Sequence, residues 1–168
     1  MGFFDEKFVK NKKSYILQCT LATISMFIIL MFLDIISDGI VIASLGASSF
    51  IAFTMPKSEL SKPRFLIGGY FVGIISGCTC NYILKLAEMH ILFPSNKLVI
   101  ISIIGALGVG LAIFLMVITN TEHPPAAALS LGLTLMEFTM ITITVALIGI
   151  IALCFLKTIL KSQLINLL

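Results

Sequence analysis

Four apolar runs, each long enough to cross a lipid bilayer, limit what this sequence can fold into. They extend over residues 15–33, 65–86, 98–118 and 139–156, and a transmembrane helix needs ~20 mostly apolar residues. Hydrophobic residues make up 59% of the 168 residues, whereas charged residues make up only 11%. This composition is typical of a membrane protein and not of a soluble domain. We therefore predict an integral membrane protein whose function lies within or beside the bilayer.

Two shorter apolar segments alternate with the long runs. One covers residues 40–55, and the other covers residues 126–136, directly behind the double proline Pro124–Pro125. Proline breaks a helix interior but suits the first helical turn. The chain should therefore stop after the third long run, pass irregularly through His123 and restart a helix at the prolines. This order predicts an all-α polytopic membrane protein with four long spans and two short broken or re-entrant helices.

Long and short segments follow the same order in both halves of the chain. Residues 15–86 and 98–160 each contain a long, a short and a long segment. If every segment crosses the membrane, the second half is inverted relative to the first, as in many transporters that bind substrate at broken helices. We expect one transmembrane domain over residues 15–168, built from two inverted three-helix repeats. An interfacial amphipathic segment over residues 1–14 precedes it.

Basic residues indicate the orientation of the chain. If the short segments cross, the lysines at 7–13, the basic loop (residues 57–64) and the lysines at 157–161 all lie in the cytoplasm, as the positive-inside rule prefers. The acidic loop at 34–38 then lies outside. If the short segments do not cross, the basic loop lies outside, which the same rule disfavours. We predict a multi-pass protein of the inner cell membrane with both termini cytoplasmic.

Charge and small residues indicate the partners. The net charge is only +3 and the basic residues flank apolar runs, which favours membrane lipids over nucleic acid as a partner. Two stripes of small residues allow helix backbones to approach closely, Gly69-x-x-x-Gly73-x-x-x-Gly77 and Ala106-x-x-x-Gly110. The stripes can pack within the chain or between protomers. We expect a homo-oligomer, with a dimer favoured.

Three motifs occur together in the middle of the chain: His123-Pro124-Pro125, Gly46-Ala47-Ser48, and Pro56-x-Ser58-x-Leu60-x-x-Pro63-Arg64 followed by Gly68-Gly69. Their joint occurrence resembles the HPP family of small bacterial, archaeal and plastid membrane proteins. The resemblance implies a polytopic membrane protein, and some family members are implicated in nitrite transport. This chain has Tyr70 where many relatives carry histidine, and Glu122 where relatives carry a small or apolar residue.

The predicted site lies at the break between helices near His123. An oxyanion with one charge needs hydrogen-bond donors and positive potential, and helix N-termini supply both. We expect two such termini to face each other across the midplane, one at the double proline and one at residues 46–49. Hydroxyl and amide side chains can add donors. The predicted anion-binding residues are His123, Pro124, Pro125, Ala126, Asn120, Thr121, Gly46, Ala47, Ser48, Ser49 and Arg64.

Three of these assignments have a simpler alternative. His123 beside Glu122 can hold a proton and make the site transiently cationic, which makes Glu122 the candidate for proton coupling. The two residues can also form an ordinary pair at the mouth of the loop. Arg64 can guide anions on the cytoplasmic side or anchor lipid phosphates. The prolines can simply shape a re-entrant loop that His123 caps.

The motifs of the sequence are not those of an enzyme. We find no nucleophile elbow, no metal-ligand cluster and no phosphate-binding glycine loop, and we expect no cofactor. The predicted function is a membrane transporter or channel for a small monovalent oxyanion, with nitrite as the first choice. The alternative is a non-transporting membrane module that scaffolds or senses. A continuous polar path past His123 distinguishes the two, because a transporter needs one.

Overall fold

The computed structural model describes residues 6–33, 39–90 and 97–167, and the regular structure in these ranges is helical. Four of the helices are long and apolar enough to cross a membrane, which confirms the predicted four long spans. The acidic loop at 34–38 lies outside the described residues. The helices are α1 (Glu6–Lys10), α2 (Lys12–Leu33), α3 (Gly39–Thr54), α4 (Pro63–His90), α5 (Lys97–Thr119), α6 (Pro124–Leu135) and α7 (Met140–Leu160).

Proline and threonine set several helix boundaries. The helix α3 ends at Thr54, two residues before Pro56, because a proline disfavours the α conformation in the residue before it. Pro63 and Pro124 each occupy the first position of a helix, where a missing N–H removes no intrahelical bond. The helix α7 follows Thr139, whose side chain accepts a hydrogen bond from a backbone N–H three residues later in a capping box.

The short helix α6 packs against α3, α4 and α5. It runs antiparallel to α3, because Ser48 contacts His123 at the start of α6 and Ile40 packs on Gly132 near its end. The residue Gly132 has no side chain, and a Cβ atom there would overlap the Ile40 side chain. The two short helices are therefore in direct contact along their length, one taken from each half of the chain.

Glycines of α4 form the surface on which α6 packs. A Cβ atom at Gly73 would overlap the backbone carbonyl of Ala126, and one at Gly77 would come within 2.8 Å of a carbonyl oxygen on α6. The first small-residue stripe therefore packs within the chain, which is one of the two roles left open. Ala106 and Gly110 on α5 are exposed. The homo-oligomer stays a prediction, and the α4 stripe does not support it because that stripe packs against α6.

The short helices are shorter than the hydrocarbon layer of a bilayer. With 16 and 12 residues, α3 and α6 extend ~24 and ~18 Å at 1.5 Å per residue. The hydrocarbon core of a bilayer is ~30 Å thick. Helices α2 to α7 nevertheless alternate in direction along the chain, so the second group of three runs opposite to the first. Their relation as inverted repeats, over 15–86 and 98–160, stays a prediction.

The first and last described segments meet at the end of the bundle that carries the basic loop. The side-chain amide of Gln18 donates to the carbonyl oxygens of Phe53, at 2.6 Å, and Ile165, at 2.8 Å. The backbone N–H of Lys57 donates to the side-chain oxygen of Asn166 at 3.1 Å. The C-terminal segment thus joins the start of α2 to the end of α3. All three segments meet at one end of the bundle.

We expect this end of the bundle to face the cytoplasm, because it carries most of the basic residues. Lys62 in the basic loop is exposed, whereas its neighbour Ser61 is fully buried, so Lys62 is the better labelling position. In a chain without its four native cysteines, Lys62→Cys should react with a membrane-impermeant thiol reagent only after the cells are opened. Met140→Cys, at the opposite end, should react in intact cells. The reverse pattern would contradict the predicted orientation.

Candidate functional site

The chain reverses direction between α5 and α6 within residues 120–123. The helix α5 ends in a Schellman motif, in which the N–H of Thr121 donates to the Met116 carbonyl at 2.9 Å and that of Asn120 to the Val117 carbonyl at 3.3 Å. Asn120 adopts a positive φ of 53°, a left-handed conformation that asparagine tolerates better than most residues. The motif satisfies carbonyls at the end of α5 and turns the chain back into the bundle.

His123 is the N-cap residue of α6, and the first turn of this helix has few backbone donors. Pro124 and Pro125 occupy its first two positions and have no N–H. The N–H of Ala126 donates to the His123 carbonyl oxygen at 2.9 Å. A helix normally has four N–H groups without intrahelical partners at its start, and here at most that of His123 is left. The prediction of several backbone donors is therefore wrong, although the positive end of the helix dipole remains.

The imidazole of His123 is buried in the bundle, and only 1% of the residue is exposed. Its Nε2 atom lies 2.8 Å from the Ser48 hydroxyl on α3, and its ring centroid lies 5.7 Å from that of Tyr70 on α4. A Cβ atom at Gly69 would overlap the His123 side chain. Within the described residues, no hydrogen bond or ion pair joins His123 to Glu122. The alternative of an ordinary Glu–His pair at the loop mouth is therefore wrong.

Ser44, Ser48, Tyr70 and His123 form one hydrogen-bonded group, which we call the polar cluster. The Tyr70 hydroxyl lies 3.0 Å from both serine hydroxyls. The Ser48 hydroxyl also lies 2.8 Å from the Ser44 carbonyl, and the Ser44 hydroxyl donates to the Val41 carbonyl at 3.1 Å. The four residues are at most 2% exposed. Because polar groups in an apolar bundle are costly unless paired, the cluster joins α3, α4 and the start of α6.

One nitrogen of the polar cluster has no partner. In the part of the chain that the structure describes, the buried side-chain atoms without a hydrogen bond are Ser76 Oγ and His123 Nδ1. His123 borders a cavity of about 240 Å³ at the junction of α5 and α6. An unpaired buried polar group costs about 1–3 kcal/mol, which a ligand pairing with it would offset. The other residues lining the cavity are Glu122, Pro124, Ile113, Met116, Val117 and Ala127.

The predicted residues of α3 do not form a second helix N-terminus. The helix is continuous from Gly39, so the four small residues lie in its middle. Ser48 contacts the histidine, but Gly46 and Ala47 are exposed. The Ser49 hydroxyl donates to the Gly46 carbonyl at 2.9 Å, beside a different cavity between α2 and α3. The expected pair of facing helix N-termini is therefore wrong.

Arg64 and two polar linker residues do not line the cavity at His123. Arg64 is exposed, and its guanidinium donates to the Thr119 carbonyl at 2.8 Å. Its positive charge thus lies at the C-terminus of α5, where it stabilises the helix dipole. The hydroxyls of Thr121 and Thr119 lie 2.8 Å apart, and Asn120 is exposed. Anion guidance and lipid anchoring by Arg64 both stay predictions.

Two members of the polar cluster, Ser44 and Tyr70, were absent from the predicted site. Ser44 and Ser48 are four residues apart and therefore share one helix face, a spacing that indicates a polar stripe on α3. In the sequence, Tyr70 differs from the HPP pattern but shows no other sign of a role. Its contacts with Ser44 and Ser48 could not be predicted, because these residues are distant from it in the chain. Among the described residues, no three His, Cys, Asp or Glu side chains lie close enough to hold a metal ion.

The fold and the site define a multi-pass α-helical membrane protein with a buried histidine at the start of a short central helix. The chain belongs to the HPP family, because the family model of the HPP transmembrane region matches residues 9–166. The resemblance inferred from the motifs is thus confirmed. A transmembrane protein of Dictyostelium discoideum is 35% identical over 92 residues, which cover 55% of this chain and 29% of that relative. No solved structure matches the chain.

Proposed function

We propose that the chain is a transporter or channel for a small monovalent oxyanion, with nitrite as the first choice, and that His123 binds the anion. One observation carries the proposal: the buried Nδ1 atom of His123 has no partner, and the residue borders a cavity. Ionisable side chains inside membrane bundles are costly and usually mark a substrate or ion pathway. Nitrite is preferred because the HPP family includes members implicated in its transport.

The surroundings of His123 support a small solute. The cavity of about 240 Å³ has room for several groups the size of a water molecule, which occupies ~30 Å³ in the liquid. The N-terminal end of α6 adds a positive potential that favours an anion. The cavity lies where backbone leaves the helical conformation, and irregular backbone at membrane depth is tolerated where it lines a cavity or is buried in protein.

The arrangement of short helices also supports transport. Many transporters bind substrate where short or broken helices from two inverted halves meet near the middle of the membrane. Here α3 and α6 meet at the contact between Ser48 and His123. We infer that the site lies between the two proposed three-helix repeats, so that a relative movement of the halves would open it to one side at a time.

A scaffold or sensor without transport activity is the second candidate, and the satisfied part of the polar cluster favours it. The hydroxyls of Ser44, Ser48 and Tyr70 and the Nε2 atom of His123 are all paired with one another. Most residues that line the cavity are apolar. Fixing the packing of the surrounding helices can be the whole role of a fully paired buried network.

Anion flux in proteoliposomes distinguishes the two candidates. The full chain is purified and reconstituted, and uptake of nitrite, nitrate, formate and chloride is measured against protein-free vesicles of the same lipid. The transport proposal predicts nitrite uptake well above the protein-free rate and unequal rates among the four anions. Uptake of all four anions at the protein-free rate would contradict transport and favour the scaffold.

A further inference from the structure

The hydrogen bonds of the polar cluster indicate which ring nitrogen of His123 carries a hydrogen. Five contacts link the cluster residues to one another and to two backbone carbonyls. Ser44, Ser48 and Tyr70 each bring one hydroxyl hydrogen to these contacts. A neutral imidazole adds a fourth hydrogen only if its proton is on Nε2, because Nδ1 is outside the network. The tautomer therefore decides whether four or three hydrogens serve the five contacts.

Ser48 is the decisive residue, because its single hydrogen has three possible acceptors. The Ser44 carbonyl oxygen, 2.8 Å away, can never donate, whereas Nε2 can, so more contacts receive a hydrogen when the carbonyl takes the one on Ser48. The Nε2 atom of His123 also lies 2.8 Å from the Ser48 oxygen and must then donate to it. This count assigns the hydrogen to Nε2. It leaves Nδ1 as a buried lone pair that can accept a hydrogen bond but cannot donate one.

We propose that the site takes up an anion only together with one proton, so that each oxyanion crosses the membrane with one proton. This inference rests on the proposed function. A bare lone pair on Nδ1 repels an anion but accepts a hydrogen bond from its protonated acid. Alternatively, Nδ1 takes the proton, and the resulting imidazolium N–H donates to the anion. Both states contain the same atoms: one imidazole, one anion and one added proton.

The charged groups around His123 also favour a stoichiometry of one proton per anion. The titratable neighbours are Glu122 in the linker and Tyr70 on α4, whereas α3 contributes serine hydroxyls and α5 contributes apolar side chains. The described residues that line the cavity include Glu122 but no lysine or arginine. An anion that entered alone would have no cationic partner there, and burying an unpaired charge is strongly unfavourable. The accompanying proton removes that cost.

Ser48 is therefore a positioning residue, which acts on the anion only through the histidine. Without the Ser48 hydroxyl, Nε2 loses the acceptor that keeps its hydrogen in place. Tyr70 has a different effect, because Tyr70→Phe removes one hydrogen together with the two contacts that it shares. Three hydrogens then serve three contacts, again with the hydrogen on Nε2. The two variants thus separate the tautomer from the general integrity of the cluster.

Simultaneous measurement of nitrite uptake and lumenal pH tests the stoichiometry. Vesicles that contain the full chain and a trapped pH dye receive nitrite near neutral pH, and rates from protein-free vesicles are subtracted to remove diffusion of nitrous acid. We expect one proton per nitrite and a rate that does not respond to an imposed membrane potential. Nitrite uptake that carries no proton and follows the potential would overturn coupling but leave the proposed function standing. Uptake at the protein-free rate would overturn both.

Nitrogen-15 NMR of the histidine side chains tests the tautomer without any transport. The His123 signals are identified by comparison with His90→Gln, since the chain has two histidines. In anion-free protein we expect a protonated Nε2 and an unprotonated Nδ1, retained in Tyr70→Phe and lost in Ser48→Ala. Ser102→Ala is the matched control, because its hydroxyl donates to the Leu98 carbonyl of its own helix, α5. A protonated Nδ1 in the wild-type chain overturns the proposal even if nitrite is transported.

Discussion

Gly73→Leu should prevent the bundle from folding, because α6 lies directly against this glycine. Even a Cβ atom at position 73 would overlap the backbone carbonyl of Ala126, which cannot rotate away as a flexible side chain can. Overpacking a core usually costs about 1–3 kcal/mol, and a leucine that forces two helix backbones apart should cost ~3 kcal/mol or more. We expect the variant to give little or no monodisperse protein in detergent by size-exclusion chromatography.

Gly110→Leu is the matched control for this experiment. It adds the same side chain to a long helix of the same bundle, but no atom of the described residues lies within 4 Å of a Cβ atom at Gly110. The control should give a normal yield and a normal unfolding temperature. If it changes only the oligomeric state, the α5 stripe at Ala106 and Gly110 is a contact between protomers. A well-folded Gly73→Leu protein would contradict the close packing of α4 on α6.

His123→Ala should lower nitrite uptake roughly ten- to a hundredfold, because the proposed anion would lose a charge-assisted hydrogen bond worth ~1.5–3 kcal/mol. The substitution also removes one of the three partners of the Ser48 hydroxyl and enlarges the cavity beside α5. The measurement is the initial rate of nitrite uptake at equal amounts of reconstituted protein. The elution profile of each preparation shows whether the loss of rate reflects the site or a loss of folded protein.

The second histidine of the chain provides the control for His123→Ala. His90 lies at the end of α4, far along the helix from Gly69, and His90→Ala should transport nitrite at the wild-type rate. Wild-type uptake by folded His123→Ala protein would remove this residue from the transport mechanism. The histidine would then be a structural cap of α6, which is one of the alternatives given in the sequence analysis.

The long helices could be predicted because a helix that crosses lipid must consist mostly of apolar residues. Residues 98–118 were predicted as a span and α5 covers Lys97–Thr119, and the predicted restart at the double proline agrees with α6 at Pro124–Leu135. Ser48 and His123, which were both assigned to the anion site, are in contact in the structure. In each case a local property determined the outcome: a run of apolar residues, or a polar residue too costly to leave in lipid.

Other features could not be deduced, because they depend on contacts between distant residues. The small residues at 46–49 resemble a helix start, yet they lie within α3, where small side chains also permit close helix packing. The role of Tyr70 required knowing which face of α4 meets α3. The donors at the start of α6 were overestimated for a simpler reason. The prolines that begin the helix also remove two of its N–H groups.

The C-terminal segment imposes an order on the assembly of the bundle. The Tyr15 hydroxyl donates to the Leu167 carbonyl at 2.6 Å, and the Gln18 amide donates to the Ile165 carbonyl at 2.8 Å, so α2 has partners about 150 positions later in the chain. During synthesis α2 enters the membrane long before these partners exist. The two hydrogen bonds can form only after residue 167 has left the ribosome. The last residues described here thus complete the hydrogen bonding of α2, a helix that precedes them by about 150 positions.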